Sequence, residues 1–476
     1  MYDILIIGAG AAGLTSAIRA AQRGKKVLVI EKMDRVGGTL AITAGHLSGA
    51  STQRQFNAGI QDTPDSHYDD IVRICRNTMD PIITRKAVDL ASSTIDWLTE
   101  LGYSFHERSP AIIHGHEPYS TARTYFGKGD VHPRIQEAGQ TILHLLLPLW
   151  NEQVKSGNIR LFTRCKLKQI MVNKNSVVGV VAEQGDHEFT FTAQHYLLTT
   201  GGYASSPSFF ENFTPGISRL MSAANPASTG DGIKAALQIG AMFHGADKQM
   251  YTLGGIELQP GSGRINFWEA WARMSNSIDR KQREIYVNIR GERFMNEYDW
   301  SVDQRERAMM AQPQKKCWIL FDHRSLCDGD SLVPQWTTDQ MVQESYREQA
   351  VWQAASIREL AAKTGLPQEV LEVTVAKYNE SCAVGFDSLW GRTYLEHPLV
   401  SPPFFAVLVY AYALISFGGL QVNGELQVVM KGGQTIDNLY AAGEILGAAA
   451  TSGQAFCGGM LLTPAISFGK WLGDNL

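Results

Sequence analysis

The chain has 476 residues, which is too long for one small core and predicts about two or three domains. Its 43 Lys and Arg residues and 47 Asp and Glu residues give a formal net charge of −4, without a polybasic segment. We therefore expect no nucleic acid partner and no attraction to anionic membrane surfaces.

The six cysteines are scattered and contain no C-x-x-C pair, which argues against a zinc site, an iron–sulfur cluster and a disulfide framework. The first predicted strand begins at residue 3, and no apolar run approaches the length of a membrane span. We expect a cytoplasmic protein without a targeting peptide or an integral membrane segment. Docking on a membrane-bound electron acceptor stays open.

The first predicted unit is a strand, a glycine turn and a helix. A strand that starts at Asp3 is followed by Gly8, Gly10 and Gly13, in G-x-G-x-x-G spacing, at the start of an alanine-rich helix. The first glycine permits a tight turn, the second lets a pyrophosphate approach the backbone, and the third lets helix and strand pack closely. The free N–H groups of the helix N-terminus favour phosphate binding.

A second apolar strand, residues 26–30, ends in Glu31, where a carboxylate would grip a ribose diol. Strand, glycines, helix, second strand and acid therefore occur in the order that an ADP-binding βαβ unit requires. A glycine-rich turn in another α/β protein would leave Glu31 unexplained.

Five further segments carry a resemblance to the fumarate reductase/3-ketosteroid dehydrogenase family of flavoproteins. They are Gly37-Gly38-Thr39 with Ala44-Gly45, the turn Thr200-Gly201-Gly202, the T-G-D-G sequence around Asp231, residues 286–297, which are close to V-N-x-x-G-x-R-F-x-N-E, and the C-terminal Gly443-Glu444 with 458–465. These matches span nearly the whole chain.

The resemblance implies an α/β protein with two domains. A Rossmann-like FAD-binding domain, built of a parallel sheet plus a β-meander at 159–200, would comprise residues 1–245 and 400–476, and an inserted α+β capping domain would comprise 246–399. Helices are predicted from Pro64, from Pro81 to Gly102, over 134–150, and as a pair around 357–380.

The resemblance also implies a non-covalent FAD. Asp231 would hold the ribityl or pyrophosphate region and could also cap the next helix. Glu444 would bind the ribityl chain, and the final helix, opening near Gly459, would direct its positive end to the flavin. The predicted cofactor-binding residues are Gly8, Gly10, Ala12, Gly13, Glu31, Lys32, Gly37, Gly38, Thr39, Ala44, Gly45, Thr200, Gly201, Asp231, Gly443, Glu444, Leu461 and Leu462.

The substrate side departs from the fumarate reductase pattern. The histidine and arginine that clamp a dicarboxylate in those enzymes are replaced around Leu414 and Ala455, and their proton-donating arginine is missing after Glu297. The ketosteroid branch fits better, because Gly459 falls where its glycine N–H binds the ketone oxygen. The tyrosine partner of that branch is absent, with Ala455 in its place.

If a phenol acts as base or oxyanion donor it must come from elsewhere, and Tyr119, Tyr125, Tyr251 and Tyr412 are candidates. A cation would lower a tyrosine's high pKa, and the available arginines include Arg123, Arg280 and Arg283. The position of Arg280 resembles that of the family's proton-relay arginine. The predicted catalytic residues are Tyr119, Arg123, Tyr251, Arg280, Tyr412 and Gly459.

Two histidines in the polar loop at 114–130 are further candidates. His114 and His116 could bind a metal as H-x-H, but no carboxylate–histidine cluster supports this, and we predict no metal site. His116 beside Glu117 could act as a general acid or base. Cys457 is expected to be a small apolar wall residue rather than a reactive thiol.

The expected function is an FAD-dependent oxidoreductase that adds or removes a hydride and a proton across a C–C bond next to a carbonyl, as an α,β-dehydrogenase or an ene-reductase. The lost clamp, with Trp268, Trp271, Phe456 and Met460, favours a small, non-dicarboxylate, cyclic or aromatic-like substrate. The electron donor or acceptor is not indicated. The alternatives are a flavin-binding electron-transfer subunit, which a capping domain argues against, and an FAD oxidase that uses O₂.

Overall fold

The computed structural model describes residues 2–113, 116–128, 138–213, 219–274 and 280–476. Within these ranges the strands are β1 (Tyr2–Ile7), β2 (Val27–Ile30), β3 (Leu47–Ser48), β4 (Thr124–Tyr125), β5 (Ile159–Phe162), β6 (Lys166–Asn173), β7 (Ser176–Gln184), β8 (His187–Phe191), β9 (Ala193–Leu198), β10 (Phe243–His244), β11 (Thr252–Gly255), β12 (Ile285–Val287), β13 (Lys316–Asp322), β14 (Val351–Ala354), β15 (Phe404–Tyr412), β16 (Gly419–Leu420), β17 (Gln427–Val429) and β18 (Thr435–Ala441).

The α-helices of the same ranges are α1 (Ala11–Gln22), α2 (Gln53–Asn57), α3 (Pro64–Cys75), α4 (Pro81–Glu100), α5 (Ala138–Lys155), α6 (Pro207–Phe213), α7 (Asp231–Gln238), α8 (Val302–Met310), α9 (His323–Cys327), α10 (Thr338–Arg347), α11 (Ile357–Thr364), α12 (Gln368–Val384), α13 (Ala449–Ser452) and α14 (Leu462–Asn475).

The central sheet has the strand order β17-β18-β9-β1-β2-β5. Its members pair in parallel except at the edge, where β17 runs antiparallel to β18. Ile4 to Ile7 and Val27 to Ile30 are buried along their whole length, as expected for strands covered on both faces. The expectation of an α/β fold with a parallel dinucleotide-binding sheet is confirmed.

The predicted β-meander is present but shorter than expected. Strands β6, β7 and β8 form an antiparallel three-stranded sheet. The flanking strands β5 and β9 join the central sheet instead. The apolar segment from residue 159 therefore leads out of the central sheet and the segment before Thr199 leads back into it.

Helix α14 packs closely against α1. A side-chain carbon at Gly469 would collide with the carbonyl oxygen of Ala12, and one at Gly473 would collide with that of Ser16. Small residues therefore let the two helix backbones approach one another, as they do where the third glycine of the turn, Gly13, faces Gly8.

The predicted helix starts are confirmed where the structure describes them. Thr63 caps α3 through the N–H of Ser66, and Asp80 caps α4. The helix expected from residue 134 begins at Ala138 within the described ranges, and residues 134–137 lie outside them. At α7 the cap residue is Gly230, so Asp231 is the first helical residue rather than the N-cap.

The capping segment has its own sheet, in the order β11-β15-β13-β12, with β14 also paired to β15. Strand β15 pairs with β13 along its whole length up to Tyr410, and Tyr412 pairs with Thr252. The segment expected to return to the cofactor domain at residue 400 thus first completes the capping sheet. We propose that the capping domain extends to about residue 412.

The V-N-x-x-G-x-R-F-x-N-E segment has a structural role in this sheet. The buried Arg293 guanidinium lies 2.6 Å from a Glu297 oxygen and 2.9 Å from Asp387. Arg392, also fully buried, lies 3.3 Å from Glu297. Buried charges that are paired in this way hold one arrangement of the surrounding loops, because losing one partner leaves the other uncompensated.

Within the described residues, no helix has the length and apolar character needed to cross a membrane. The same residues contain no cluster of three or more His, Cys, Asp or Glu side chains able to hold a metal ion. His114, which with His116 forms the H-x-H pair considered as metal ligands, lies outside the described ranges. All six cysteines are free thiols.

Candidate active site

A long cavity runs across the carboxyl ends of the central strands, from the glycine turn to the start of α14. Most of the predicted cofactor-binding residues line it: Gly8, Gly10, Ala12, Glu31, Lys32, Gly38, Thr39, Thr200, Gly201, Asp231, Gly443, Glu444, Leu461 and Leu462. The position agrees with the rule that parallel sheets bind ligands beyond the carboxyl ends of their strands. Four predicted residues do not line it: Gly13, Gly37, Ala44 and Gly45.

The glycine turn leaves room where a phosphate would lie. A side-chain carbon on Gly8 would come within 2.5 Å of the Thr199 carbonyl oxygen, and one on Gly13 would collide with the Gly8 carbonyl. A side-chain carbon on Gly10 would meet nothing within 4 Å, so this glycine faces open space. The turn therefore needs Gly8 and Gly13 for packing, and it leaves the space at Gly10 to a ligand.

Glu31 is held in a fixed orientation at the next strand end. It is buried, and its two carboxylate oxygens accept hydrogen bonds from the backbone N–H groups of Ala9, at 2.7 Å, and Met33, at 2.8 Å. Charge-assisted bonds of this kind are short and strong. The carboxylate therefore stands preorganised beside the glycine turn, where the ribose of a dinucleotide would lie.

Lys32 and Asp231 close this end of the cavity. Lys32 Nζ lies 2.8 Å from Asp231 Oδ2, which also accepts a hydrogen bond from Thr229, and Lys166 Nζ lies 3.6 Å from the other carboxylate oxygen. Burial alone would raise the pKa of Asp231, but the hydrogen bond and charge of Lys32 lower it. Asp231 is therefore a paired carboxylate at neutral pH.

The other end of the cavity contains polar atoms suited to a ribityl chain and a flavin ring. Glu444 Oε1 accepts hydrogen bonds from the Ser416 backbone and hydroxyl at 3.1 and 3.2 Å, and burial raises the pKa of the Glu444 carboxyl. The buried Thr200 hydroxyl, which has no hydrogen-bond partner among the described residues, lies instead beside the glycine turn, close to Gly8 and Gly232. Leu461 and Leu462 bring the N-terminus of α14 to the cavity.

These observations fit FAD: an open glycine turn with an oriented carboxylate and the unpartnered Thr200 hydroxyl at one end, and the Glu444 carboxyl with a helix N-terminus at the other. When bound, the group supplies hydride exchange with a carbon substrate. Sequence reasoning missed several lining residues, which are Thr43, Lys166, Asn225, Ser228 and Thr451. Only Lys166 had a usable signal, because it closely follows strand β5 as Glu31 follows β2.

An apolar wall adjoins the flavin end of the cavity. We define it as Met250, Ile415, Phe417, Phe456 and Leu461, which belong to one cluster of packed hydrophobic side chains. Ile415 and Leu461 also line the cavity itself, so the wall is continuous with the cofactor site. The rings of Phe417 and Phe456 meet edge to face at 5.3 Å.

The predicted tyrosines fall into two groups. The buried Tyr119 hydroxyl donates a 2.6 Å hydrogen bond to the Gly458 carbonyl, and Tyr125 bonds to Thr52 at 2.5 Å, so both have local structural partners. The buried hydroxyls of Tyr251 and Tyr412 have no hydrogen-bond partner among the described residues. Burial raises the pKa of both phenols, which keeps them neutral.

The two predicted arginines are engaged by carboxylates. Arg123 is fully buried and lies 2.8 Å from Asp62 and 3.1 Å from Asp70. Arg280 is buried in the capping segment, 2.6 Å from Glu284. In these ion pairs neither arginine contacts Tyr251 or Tyr412, the two tyrosines whose hydroxyls lack a hydrogen-bond partner among the described residues.

Of the remaining residues predicted for the substrate side, only some lie at the cavity. Gly459 has a φ of +76°, and a side-chain carbon there would collide with the Ser48 backbone. Trp268 lines a separate surface hollow with Trp336, while Trp271 donates to the Leu253 carbonyl at 2.8 Å. Met460 is fully buried and lines the cofactor cavity.

A parallel dinucleotide-binding sheet, a cavity that fits FAD and an adjoining apolar wall define an FAD-dependent oxidoreductase. The family model described as "FAD binding domain" matches residues 3–461, and the chain belongs to that family. The expected cofactor, FAD, is thereby confirmed, as is the expectation of an enzyme of the group that acts on CH–CH bonds.

Known proteins of the group are similar over most of the chain. Probable fumarate reductase Ifc3 of Shewanella frigidimarina is 26% identical over 475 residues, which cover 99% of this chain and 74% of that protein. Vinyl phenol reductase of Lactiplantibacillus plantarum is 26% identical over 469 residues, covering 93% and 89% respectively.

Two solved structures share the fold. The 3-ketosteroid delta1-dehydrogenase of Sterolibacterium denitrificans has a TM-score of 0.82 at 18% identity, covering 99% of this chain and 98% of that one. A flavocytochrome c3 fumarate reductase has a TM-score of 0.77 at 24% identity, covering 100% and 78%. The predicted resemblance to both branches of the family is confirmed.

Proposed function

We propose that this enzyme adds or removes two hydrogens across a C–C bond conjugated to a carbonyl or an aromatic ring, in an uncharged, non-dicarboxylate substrate. The observation that carries the proposal is the apolar wall beside the flavin end of the cavity. A flat apolar substrate would bury its surface against the two phenylalanines of that wall, whereas a dicarboxylate would have to be desolvated there.

The polar groups near the wall support the same substrate class. Tyr251 directly precedes β11 and Tyr412 ends the neighbouring strand β15, and both carry buried, neutral hydroxyls without partners among the described residues. A neutral hydroxyl can donate a hydrogen bond to a carbonyl or phenol oxygen, but it does not balance a full negative charge. We propose that these two tyrosines, rather than Tyr119, contact the substrate.

The arginines supply a further argument. Arg123 and Arg280 would have to leave buried carboxylates to clamp a substrate carboxylate, and breaking a buried pair costs about 3–5 kcal/mol. We propose supporting roles for both. Vinyl phenol reductase, whose name states an uncharged substrate, is 26% identical to this chain.

The test mixes photoreduced, FAD-loaded enzyme anaerobically with 2-cyclohexenone, a 4-vinylphenol, a 3-ketosteroid with a ring double bond, and fumarate, and follows flavin reoxidation. We expect at least one of the first three to reoxidise the flavin about 100-fold faster than fumarate does, since one or two lost charged contacts account for that factor. Fumarate as the fastest acceptor would overturn the proposal.

The alternatives are separated when the same photoreduced enzyme is mixed with O₂ or with a redox protein in place of the alkenes. Rapid reoxidation by O₂ with formation of peroxide would indicate an oxidase. A flavin that reacts with none of the alkenes but exchanges electrons with a redox protein would indicate an electron-transfer subunit. The capping segment contributes Met250 to the apolar wall, which favours the enclosure of a small molecule.

A further inference from the structure

A histidine and a buried glutamate, 190 positions apart in the chain, meet beside the apolar wall. His116 Nδ1 lies 3.9 Å from Glu306 Oε1. Neither atom has a hydrogen-bond partner among the described residues. Buried polar atoms normally have a hydrogen-bond partner. Two facing buried atoms that lack one therefore indicate side chains that act on a ligand or a proton.

The histidine ring is held against the wall. It stacks on Phe456, with ring centroids 4.7 Å apart and planes 22° apart. Phe456 belongs to the cluster that contains Ile415 and Leu461, which line the cofactor cavity. The His116 side chain is about a third exposed, at 33%, whereas that of Glu306 is 3% exposed. The imidazole is therefore the accessible member and the carboxyl lies behind it.

We propose that His116 and Glu306 form a proton-transfer pair, in which His116 exchanges a proton with the substrate carbon and Glu306 exchanges one with His116. This inference rests on the proposed function, because it names the source of the proton in that reaction. His116 is the catalytic residue of the pair, and Glu306 acts through it.

The electrostatic surroundings keep the resting pair neutral. Burial and the nearby Asp303 raise the pKa of the Glu306 carboxyl well above its usual range, Glu117 adds to this, and Arg305 and Arg307 oppose it. Asp303 itself is paired with Arg307 at 2.9 Å. These influences together favour the protonated form of the Glu306 carboxyl.

The histidine is neutral for a related reason. Burial, together with the charge of His46, lowers the pKa of the His116 imidazole to about 4. The buried Tyr412 faces Glu306 from the capping sheet and adds no charge, because its own pKa is raised. A neutral imidazole next to a neutral acid is the state from which a proton can be passed on.

In the reducing direction the proton steps balance as follows. The Nε2–H bond of His116 breaks as a C–H bond forms on the substrate carbon that does not receive the hydride. The Oε1–H bond of Glu306 breaks as an Nδ1–H bond forms, which leaves a carboxylate and a neutral imidazole. Nε2 then takes up a proton from solvent at the exposed edge of the ring, and the Nδ1 proton returns to the Glu306 carboxylate, which restores the Nε2–H imidazole and the neutral acid. The 3.9 Å gap closes by side-chain rotation, since catalytic hydrogen bonds tighten when substrate binds.

The first test uses FAD-loaded protein without substrate, and compares Glu306→Gln with Glu292→Gln. Glu292 is half exposed and pairs with Arg290 on the surface of the capping segment, so it is the matched control. Infrared spectra at pH 7 should show a protonated-carboxyl C=O component in the wild type and in Glu292→Gln that is missing in Glu306→Gln, whereas any component from Glu444 should be the same in all three proteins. An unchanged band in Glu306→Gln would overturn the proposal.

The second test follows reoxidation of the photoreduced flavin by the alkene that reacts fastest with the wild type. Glu306→Gln and His116→Gln should each lower the rate about 10²- to 10⁴-fold, the usual range for general acid catalysis, with little change in alkene affinity. The wild-type rate should fall as pH rises and Glu306 ionises, and Glu306→Gln should lack this decline. Both variants should bind FAD normally, which reports folding.

The outcomes separate the two proposals. If no alkene reoxidises the wild-type flavin, the proposed function fails, while the infrared band still decides whether Glu306 is a neutral acid. If the band is lost but the rate, the pH profile and the solvent deuterium isotope effect of Glu306→Gln match those of Glu292→Gln, Glu306 is structural and the proton-transfer pair is refuted.

Discussion

The substitution Arg123→Met tests whether Arg123 stabilises the fold or takes part in catalysis. The guanidinium is fully buried, and it donates to both Asp62 oxygens, at 2.8 and 3.1 Å, and to the Ser66 carbonyl. Nη1, the nitrogen that donates to the Ser66 carbonyl, also lies 3.1 Å from Asp70. Methionine fills similar space without charge, and it leaves two buried carboxylates facing each other.

Removing one member of a buried ion pair costs about 3–5 kcal/mol, because the remaining charge stays desolvated. We expect the free energy of unfolding of the FAD-loaded protein to fall by that amount in Arg123→Met, measured by urea titration with flavin and tryptophan fluorescence. The matched control is Arg290→Met, where an exposed pair with Glu292 is lost and about 1 kcal/mol or less is expected.

The pH dependence adds a second criterion. Burial tends to raise the pKa of Asp70, but hydrogen bonds from Ser120 and Arg73 and the charge of Arg123 lower it. A lowered pKa gives stability that is present above the unfolded pKa, near 4, and is lost as pH falls through the folded value. The difference between wild type and Arg123→Met should therefore shrink in acid. The structural role would be refuted if Arg123→Met lowered the free energy of unfolding by less than about 1 kcal/mol but slowed reoxidation of the photoreduced flavin by the alkene about 100-fold or more.

Three further predictions concern the cofactor site. Glu31→Gln should weaken FAD binding about 10-fold or more in a fluorescence titration, because the amide sets its NH₂ group against one of the two backbone N–H donors that the carboxylate now satisfies; unchanged affinity would contradict this. Gly13→Val should yield little folded, flavin-loaded protein, since a side chain there collides with the Gly8 carbonyl, whereas Gly24→Ala, with open space around the added carbon, should bind FAD. Asp231→Asn should lower the thermal midpoint near pH 7, and the difference from wild type should disappear as pH falls through the lowered pKa of Asp231; a difference that grows in acid would oppose the Lys32 pairing.

The cofactor half of the site could be predicted from the sequence because its signals are local. The glycine turn and Glu31 lie within one βαβ unit, and backbone geometry ties each of them to a strand end. Thr200, Asp231 and Glu444 were found through the family resemblance, and all three line the cavity. Gly37 and Gly45 have positive φ angles, so their role is in turn geometry rather than in lining the cavity.

The substrate half could not be predicted in the same way, because it depends on contacts between distant segments. Nothing near His116 in the sequence identifies Glu306 as its neighbour, and the pairing follows from how α8 packs beneath the polar loop. Arg123 and Arg280 looked available because a sequence does not show which carboxylates will surround a cation after folding. Strand β15 looked like cofactor domain because its apolar pattern suits either sheet.

The close contact of α1 with α14 sets the length of the cofactor site. One helix carries its N-terminus to the phosphates and the other carries its N-terminus to the flavin, and Gly469 and Gly473 fix how far the two are offset. The spacing of the two helices thus sets the distance between the phosphate end and the flavin end of the site. A larger residue at Gly469 would collide with the Ala12 carbonyl and shift α14 relative to α1. Both ends of the site would then be displaced at once, without a direct contact to any atom of the cofactor.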